Sequence, residues 1–175
     1  KGHVGYYCGG MNQKANITIE GNAGTGLGEN MMSGTIHVKG NVSQSAGATS
    51  HGGTIIVDGD ASSRCGISMK GADIIVKGSV GHMSAFMAQA GSLLICGDAG
   101  DALGDSIYET VIYMAGKPKS LGVDCIEKKI TKNDLKKIEN LIKIGNIKKL
   151  KPHNFKKFGS ARKLYNFNID NVSEY

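Results

Sequence analysis

The sequence predicts an all-β protein, a single-stranded right-handed parallel β-helix of about six coils of 19 residues, followed by a C-terminal helical cap. Three observations predict this fold: glycines recur every 19 residues, a short apolar segment precedes each of them, and the composition changes near residue 117. Of the 175 residues, 40% are hydrophobic and 21% are charged, as is typical of a folded globular protein. The anomaly is glycine, with 26 residues against two prolines.

Two columns of glycine define the repeat. The first, which we call the marker glycines, comprises Gly2, Gly21, Gly40, Gly59, Gly78, Gly97 and Gly116. The second lies seven residues later and comprises Gly9, Gly28, Gly47, Gly66, Ala85 and Gly104. Such regularity indicates a solenoid, in which each repeat packs on its neighbours. We predict that both columns form sharp corners with positive φ, which glycine adopts without steric cost.

A short strand is predicted before each marker glycine. Four residues before the markers stand Ile17, Ile36, Ile55, Ile74, Leu93 and Ile112, and two residues before them stand Ile19, Val38, Val57, Val76, Ile95 and Met114. These two positions share one face of a strand, so they form the interior when coils stack ~4.8 Å apart. The residues directly before the markers are Glu20, Lys39, Asp58 and Lys77. On the outer face of the sheet, this alternation of charge stabilises the pairing of neighbouring strands.

The composition changes near residue 117, and we predict a glycine-rich β-helix over residues 1–126 and a lysine-rich helix and tail over residues 127–175. Residues 1–116 carry a net charge of −3, whereas residues 117–175 carry a net charge of +9. The second region is therefore predicted to be a separate layer that packs on the β-helix or on a partner protein.

A C-terminal helix is predicted over residues 131–145, with Thr131 or Asn133 as its N-cap and Gly145 at its end. Its apolar stripe comprises Leu135, Ile138, Leu141 and Ile142. Because the end of a solenoid exposes core and strand edge, we expect this helix to cover the C-terminal coil or a partner.

We predict no catalytic, cofactor-binding or metal-binding residues. The four cysteines lack the Cys-x-x-Cys spacing of zinc and iron–sulfur sites, and we expect them to be reduced and buried. The Gly-Thr-Gly-Leu-Gly sequence at residues 24–28 has neither the lysine nor the helix of a phosphate-binding loop, so we predict that it turns the coil. His82 with Ser84 is the catalytic alternative, in which an independent β-helix enzyme uses a flank groove around His82.

A partner-facing surface is predicted where methionines and an aromatic residue cluster in the repeat. Its residues are Met31, Met32, Arg64, His82, Met83, Phe86 and Met87. Core packing is the competing interpretation for part of this set, because Met31 shares its register with Met69 and Ala88.

The distribution of charge and apolar residues limits the other classes of partner. The lysines of the tail lack the stacking aromatics of a nucleic-acid surface, so we expect solvent or an acidic protein there and no nucleic acid. No apolar run reaches the ~18 residues of a membrane span, so we expect a cytoplasmic protein without a membrane partner.

As a set, the repeats resemble the glycine-rich β-helix domain at the C-terminus of the glutamate synthase large subunit, named for its Gly-x-Gly-x-Gly motif. The segments that carry this resemblance are residues 24–28, 29–34, 45–49, 63–71, 81–91, 97–109 and 159–167. The sequence is most similar to stand-alone forms of that domain. These are separate subunits in split archaeal-type glutamate synthases and in methylamine–glutamate N-methyltransferase (N-methylglutamate synthase).

The resemblance implies a non-catalytic structural subunit that binds no cofactor itself. It implies two partners, a class II glutamine amidotransferase subunit and an FMN-binding synthase subunit that carries an iron–sulfur cluster. The β-helix would bridge them during formation of glutamate or N-methylglutamate, and the product, the electron donor and a homo-oligomeric state are left open. One of the subunits of formylmethanofuran dehydrogenase has the same kind of β-helix, so a scaffold role in that complex is the alternative.

Overall fold

Six short strands stack in parallel in the computed structural model, which describes residues 2–162. They are β1 (Asn16–Ile19), β2 (Thr35–Val38), β3 (Thr54–Val57), β4 (Lys70–Val76), β5 (Ala90–Ile95) and β6 (Val111–Met114). Each interior position pairs with the residue 19 positions further along, as Ile36 does with Ile55. The predicted parallel β-solenoid is confirmed, and β1 and β6 are separated by about five turns.

The two apolar columns line the interior, as predicted. Of the twelve side chains, all except Ile17 of the first coil are buried. The segment between one marker glycine and the next strand supplies the opposite wall of the core. Its fully or almost fully buried side chains include Leu27, Met31, Met69, Ala88, Leu103 and Ile107.

Positive φ is confirmed for the second glycine column, where even Ala85 has a φ of 58°. For the marker glycines the prediction is wrong, because Gly2 is the only one of the seven, all of them described, with positive φ. The markers are glycine for a different reason. A Cβ added to Gly78 would lie 2.7 Å from the carbonyl oxygen of Gly59, so the coils could not approach each other as closely.

A ladder of polar side chains runs beside the first six marker glycines, one residue after each of them. The side chain in each coil accepts a hydrogen bond of 2.7–3.0 Å from the backbone N–H of the equivalent residue in the next coil. The accepting residues are His3, Asn22, Asn41, Asp60, Ser79 and Asp98. These bonds satisfy backbone groups at the point where the strands have ended.

The C-terminal region is joined to the sheet. It contains β7 (Cys125–Lys128), α1 (Lys132–Ile144), a 3₁₀ turn (Pro152–Asn154) and β8 (Lys156–Ser160). Strand β8 lies between β6 and β7 and is antiparallel to both. The division at residues 126 and 127 stays a prediction, and β7 crosses it.

Helix α1 has the predicted bounds and caps. Thr131 is its N-cap, in a capping box with Asp134, and Gly145 ends it. The helix covers more of the solenoid than expected, because α1 lies on the outer face of β3 to β6 instead of covering only the last coil. Its apolar contacts there join Ile138 and Leu141 to Ile56, Ile75, Leu94 and Tyr113. Within residues 2–162, no helix has both the length and the apolar character that crossing a bilayer requires.

Candidate partner interface

The exposed side chains of the fourth to eleventh residues after each marker glycine form one side of the solenoid, which we call the turn face. Three residues per coil have positive φ on this face, and Arg64, Met83 and Met87 are among them, at 59°, 53° and 50°. The N–H groups of these three residues donate hydrogen bonds of 2.8–2.9 Å to carbonyl oxygens of the next coil. The turn face is therefore a regular surface fixed by bonds between coils.

Six of the seven predicted partner-facing residues lie on the surface of the turn face. Arg64 and His82 are exposed, Met83 and Phe86 are half-buried, and Met87 is 39% exposed. Arg64 and His82 belong to adjacent coils, because the N–H of Arg64 donates to the carbonyl oxygen of His82. Whether these residues contact a partner stays a prediction.

Two methionines of the predicted set lie apart from this cluster. Met32 is 45% exposed but lies three coils from Phe86, or ~14 Å along the solenoid. Met31 is completely buried in the core, so its predicted partner-facing role is wrong. The shared register with Met69 and Ala88 indicated this outcome, since all three residues fill the same interior position.

Other apolar side chains of the turn face were missed at the sequence level. Tyr6, Tyr7 and Met11 in the first coil are 76%, 62% and 72% exposed, and Tyr108 in the last is 38% exposed. Their registers contained the signal, because Met11 occupies the same position in its coil as Met87. The exposed apolar side chains therefore extend along more of the turn face than the predicted cluster does.

The catalytic alternative is not assembled in this structure. Ser84 is buried and its hydroxyl donates to the carbonyl oxygen of Gly81 at 2.9 Å, whereas His82 is exposed. Among residues 2–162 no hydrogen bond joins the Ser84 hydroxyl to the His82 ring. A serine nucleophile needs an accessible hydroxyl that is hydrogen-bonded to its base. The Ser84 hydroxyl is buried and bonds to a backbone carbonyl instead.

The Gly-Thr-Gly-Leu-Gly sequence at residues 24–28 turns the coil, as predicted. Gly26 and Gly28 have positive φ, at 76° and 64°. Their N–H groups donate to the carbonyl oxygens of Gln44 and Cys8, at 3.0 and 2.9 Å. A phosphate-binding loop needs free N–H groups directed at its ligand, and here these donors bond to the neighbouring coils.

The predicted alternation of charge on the outer face is confirmed around Asp58. Its carboxylate lies 2.8 Å from Nζ of Lys77, 3.8 Å from Nζ of Lys39 and 2.9 Å from the His37 ring. Burial alone would raise the pKa of Asp58, but the hydrogen bonds from Lys77 and His37 outweigh it and lower the pKa below its usual value. This cluster joins three successive coils.

The four cysteines are free thiols. Burial raises the pKa of Cys65 to about 12 and those of Cys96 and Cys125 to about 11. Thiols with such pKa values are protonated at neutral pH and react slowly. Within the described part of the chain, no three His, Cys, Asp or Glu side chains are grouped in a way that could hold a metal ion.

A comparison with known proteins finds a relative that matches almost the whole chain. Protein GlxC of Rhizobium meliloti (strain 1021) is 63% identical over 174 residues, which cover 99% of this chain and 76% of that protein. No model of a protein family matches the chain. The match includes both the coils of the solenoid and the lysine-rich region, so the similarity extends over both parts of the chain.

Proposed function

The chain belongs to the GlxC family, and we propose that it is a non-catalytic scaffold subunit of a glutamate-synthase-like complex. In this proposal the solenoid bridges a class II glutamine amidotransferase subunit and an FMN-binding, iron–sulfur synthase subunit in the cytoplasm. Those partners provide the catalysis, and the product is glutamate or N-methylglutamate.

The observation that carries the proposal is where the glutamate-synthase-like segments lie. Of the seven segments that carry the resemblance, six overlap the turn face, and these are residues 24–28, 29–34, 45–49, 63–71, 81–91 and 97–109. Many residues of a solenoid are constrained by the strand and the corner, which are common to many β-helices. The same segments also contain exposed side chains, among them Arg64, His82 and Met87, and similarity at such positions supports a shared surface.

The chemistry of the turn face supports a protein as its partner. Its backbone N–H groups at positive φ bond between coils, so side chains provide the contacts that remain. Phe86 and Met87 expose apolar surface in the coil next to that of Arg64. Aromatic residues, methionine and arginine are the residue types enriched in the centres of protein interfaces.

Co-expression with the two proposed partners tests this function. We expect the tagged chain to retain both subunits, and the complex to form glutamate from glutamine, a 2-oxo acid acceptor and a two-electron reductant, or N-methylglutamate from glutamate and methylamine. Met87→Asp places a charge on the turn face and should weaken retention of one partner at least ~10-fold. Thr18→Asp, which introduces the same charge on the exposed outer face of β1, is the matched control and should leave retention unchanged. The proposal is contradicted if the unmodified chain retains neither partner.

A further inference from the structure

Most lysines of the C-terminal region form no ion pair with the residues that the structure describes. Residues 128–157 contain eleven lysines, and three of them form ion pairs at 2.8–3.0 Å, Lys137 with Asp73, Lys156 with Glu127 and Lys157 with Asp134. The other eight are exposed and have no acidic group within 4.0 Å among residues 2–162. They are Lys128, Lys129, Lys132, Lys136, Lys143, Lys148, Lys149 and Lys151, and we call them the lysine face.

Almost no negative charge accompanies the lysine face. Its segment contains two acidic residues, and Asp134 is buried, which leaves Glu139 exposed on the helix. Eight like charges over so short a segment repel one another and disfavour the compact state. A partner that brings carboxylates removes this repulsion.

Two clefts border α1, one at each end of the helix. The first has a volume of about 480 Å³ and is lined by Lys128, Lys129, Ile130, Phe155, Lys157 and the ion pair of Lys156 with Glu127. The second has a volume of about 430 Å³ and is lined by Lys77, Cys96, Asn146, Ile147, Lys148, Lys149 and Leu150. The 13 residues of α1 span ~20 Å between them. Each cleft therefore combines cations at its rim with apolar surface inside.

Strand β7 provides an edge beside the first cleft. It is the last strand in the sheet, so within residues 2–162 its outer edge pairs with no other strand. Ile126 on this strand is 44% exposed, and Lys128 is its last residue. An extended peptide can bond to such an edge through its backbone while its side chains reach the neighbouring cleft.

We propose that the lysine face binds an acidic, extended segment of a partner protein. This inference rests on the proposed scaffold function and deepens it, because it assigns one partner to the lysine face and leaves the turn face to the other. The two faces differ in chemistry, one cationic and one rich in methionine. A scaffold with two such surfaces can hold two different subunits without competition between them.

A protein fits the lysine face better than a nucleic acid does. Surfaces for single-stranded nucleic acid combine cations with exposed aromatic side chains on which bases stack. The aromatic residue of the first cleft, Phe155, is 3% exposed, and the described lining of the second contains none. All eight cations are lysines, without the arginine fork that binds phosphates with two bonds.

The test uses charge reversal in the co-expressed complex. The double variants Lys128→Glu with Lys129→Glu, and Lys148→Glu with Lys149→Glu, should each weaken retention of one partner at least ~10-fold. The partner that is sensitive to Met87→Asp should stay bound. The matched control is Lys14→Glu with Lys117→Glu, which makes the same change in charge at two exposed lysines of the solenoid. Roughly 1 M salt, which shortens the screening length to ~3 Å, should release the same partner from the unmodified chain.

The outcomes separate this inference from the proposed function. Retention of both partners by both lysine-face variants overturns the inference and leaves the scaffold function intact. If the unmodified chain retains neither partner, the scaffold function fails, and a labelled peptide of alternating glutamate and valine then tests the lysine face alone by fluorescence anisotropy. Binding of this peptide that both double variants lose supports the inference. Equal binding by all variants, no binding, or a preference for a labelled thymidine oligonucleotide overturns it.

Discussion

Each marker glycine after Gly2 lies directly against the backbone of the preceding coil. At Gly78 the nearest atoms to an added Cβ include the carbonyl oxygen of Gly59 at 2.7 Å and a side-chain oxygen of Asp60. That same Asp60 oxygen accepts the N–H of Ser79 at 2.7 Å, as part of the polar ladder. The absence of a side chain at the marker therefore makes room for the ladder, so the marker glycines and the polar ladder depend on each other.

Substitution of a marker glycine tests this dependence. We expect Gly78→Ala to lower the free energy of unfolding by about 2–4 kcal/mol, because the methyl group overpacks the contact and displaces the Asp60 hydrogen bond. Gly5→Ala is the matched control, since a Cβ there meets no atom within 4 Å, and it should change stability by less than ~0.5 kcal/mol. Urea denaturation of both variants measures the difference. Equal stability of the two variants would show that the close approach does not require glycine.

The residue-level predictions succeeded where one physical demand decides the residue type. The interior positions needed apolar side chains, and the column of Gly47 and Ala85 needed positive φ, so periodicity identified both. The polar ladder was missed although Asn22, Asn41 and Asp60 recur at the interval of the repeat. Their side chains act on the backbone of another coil, and that contact is visible only when the coils are stacked.

The helix α1 is held to the sheet by a polar network at its first turn. Asp134 is 6% exposed and receives bonds from the Tyr113 hydroxyl at 2.7 Å and the Lys157 ammonium at 2.9 Å. The N–H of Thr131 donates to the same carboxylate at 2.7 Å. Because Tyr113 is in β6 and Lys157 is in β8, one carboxylate connects the helix cap to two strands.

This network predicts that stability falls in acid. Burial alone would raise the pKa of Asp134, but the hydrogen bonds from Lys157, Thr131 and Tyr113 outweigh it and hold the pKa well below its usual range. A carboxyl group whose pKa is lower in the folded state stabilises the fold above its unfolded pKa of about 4, and this stability is lost as the pH falls towards the folded pKa.

Asp134→Asn isolates this contribution. We expect the variant to lose about 3 kcal/mol of unfolding free energy at neutral pH, because Lys157 keeps its charge without its partner. Between pH 4 and about pH 2 its stability should then fall less steeply than that of the unmodified chain. Glu139→Gln, on the exposed side of the same helix, is the control and should follow the unmodified chain. Urea denaturation across this pH range distinguishes the two, and identical pH profiles for all three proteins would contradict the assignment.

The position of α1 was the part of the architecture that sequence patterns predicted least well. Thr131, Gly145 and the apolar stripe are local signals, and they were sufficient for the bounds of the helix. The surface that receives the helix is not local, because Ile56, Ile75 and Leu94 come from three different coils. Each of these side chains faces outward from its strand, and only their alignment in the stacked sheet creates an apolar strip.

Helix α1 covers the outer face of the solenoid over only part of its length. Helix α1 lies over the outer face of β3 to β6, whereas the corresponding positions of β1 and β2 are Thr18, which is exposed, and His37, which is half-buried. In a solenoid each coil gains stability mainly from its neighbours and from whatever covers its flank. The coils under the helix therefore have a source of stability that the first two lack.

Hydrogen exchange should report this gradient. We expect the amides of Ile74 and Val76 in β4 to exchange at least ~10-fold more slowly than those of Ile36 and Val38 in β2, because opening β4 also requires the helix to leave.

Ile138→Ala, which removes a completely buried side chain from the helix contact, should cost about 2–5 kcal/mol and reduce the difference in exchange between the two strands. Leu135→Ala on the same helix is the control, because Leu135 is 38% exposed and its loss should leave the difference in place. Equal exchange in β2 and β4, unchanged by Ile138→Ala, would mean that the solenoid opens as one unit and that α1 contributes to all coils alike.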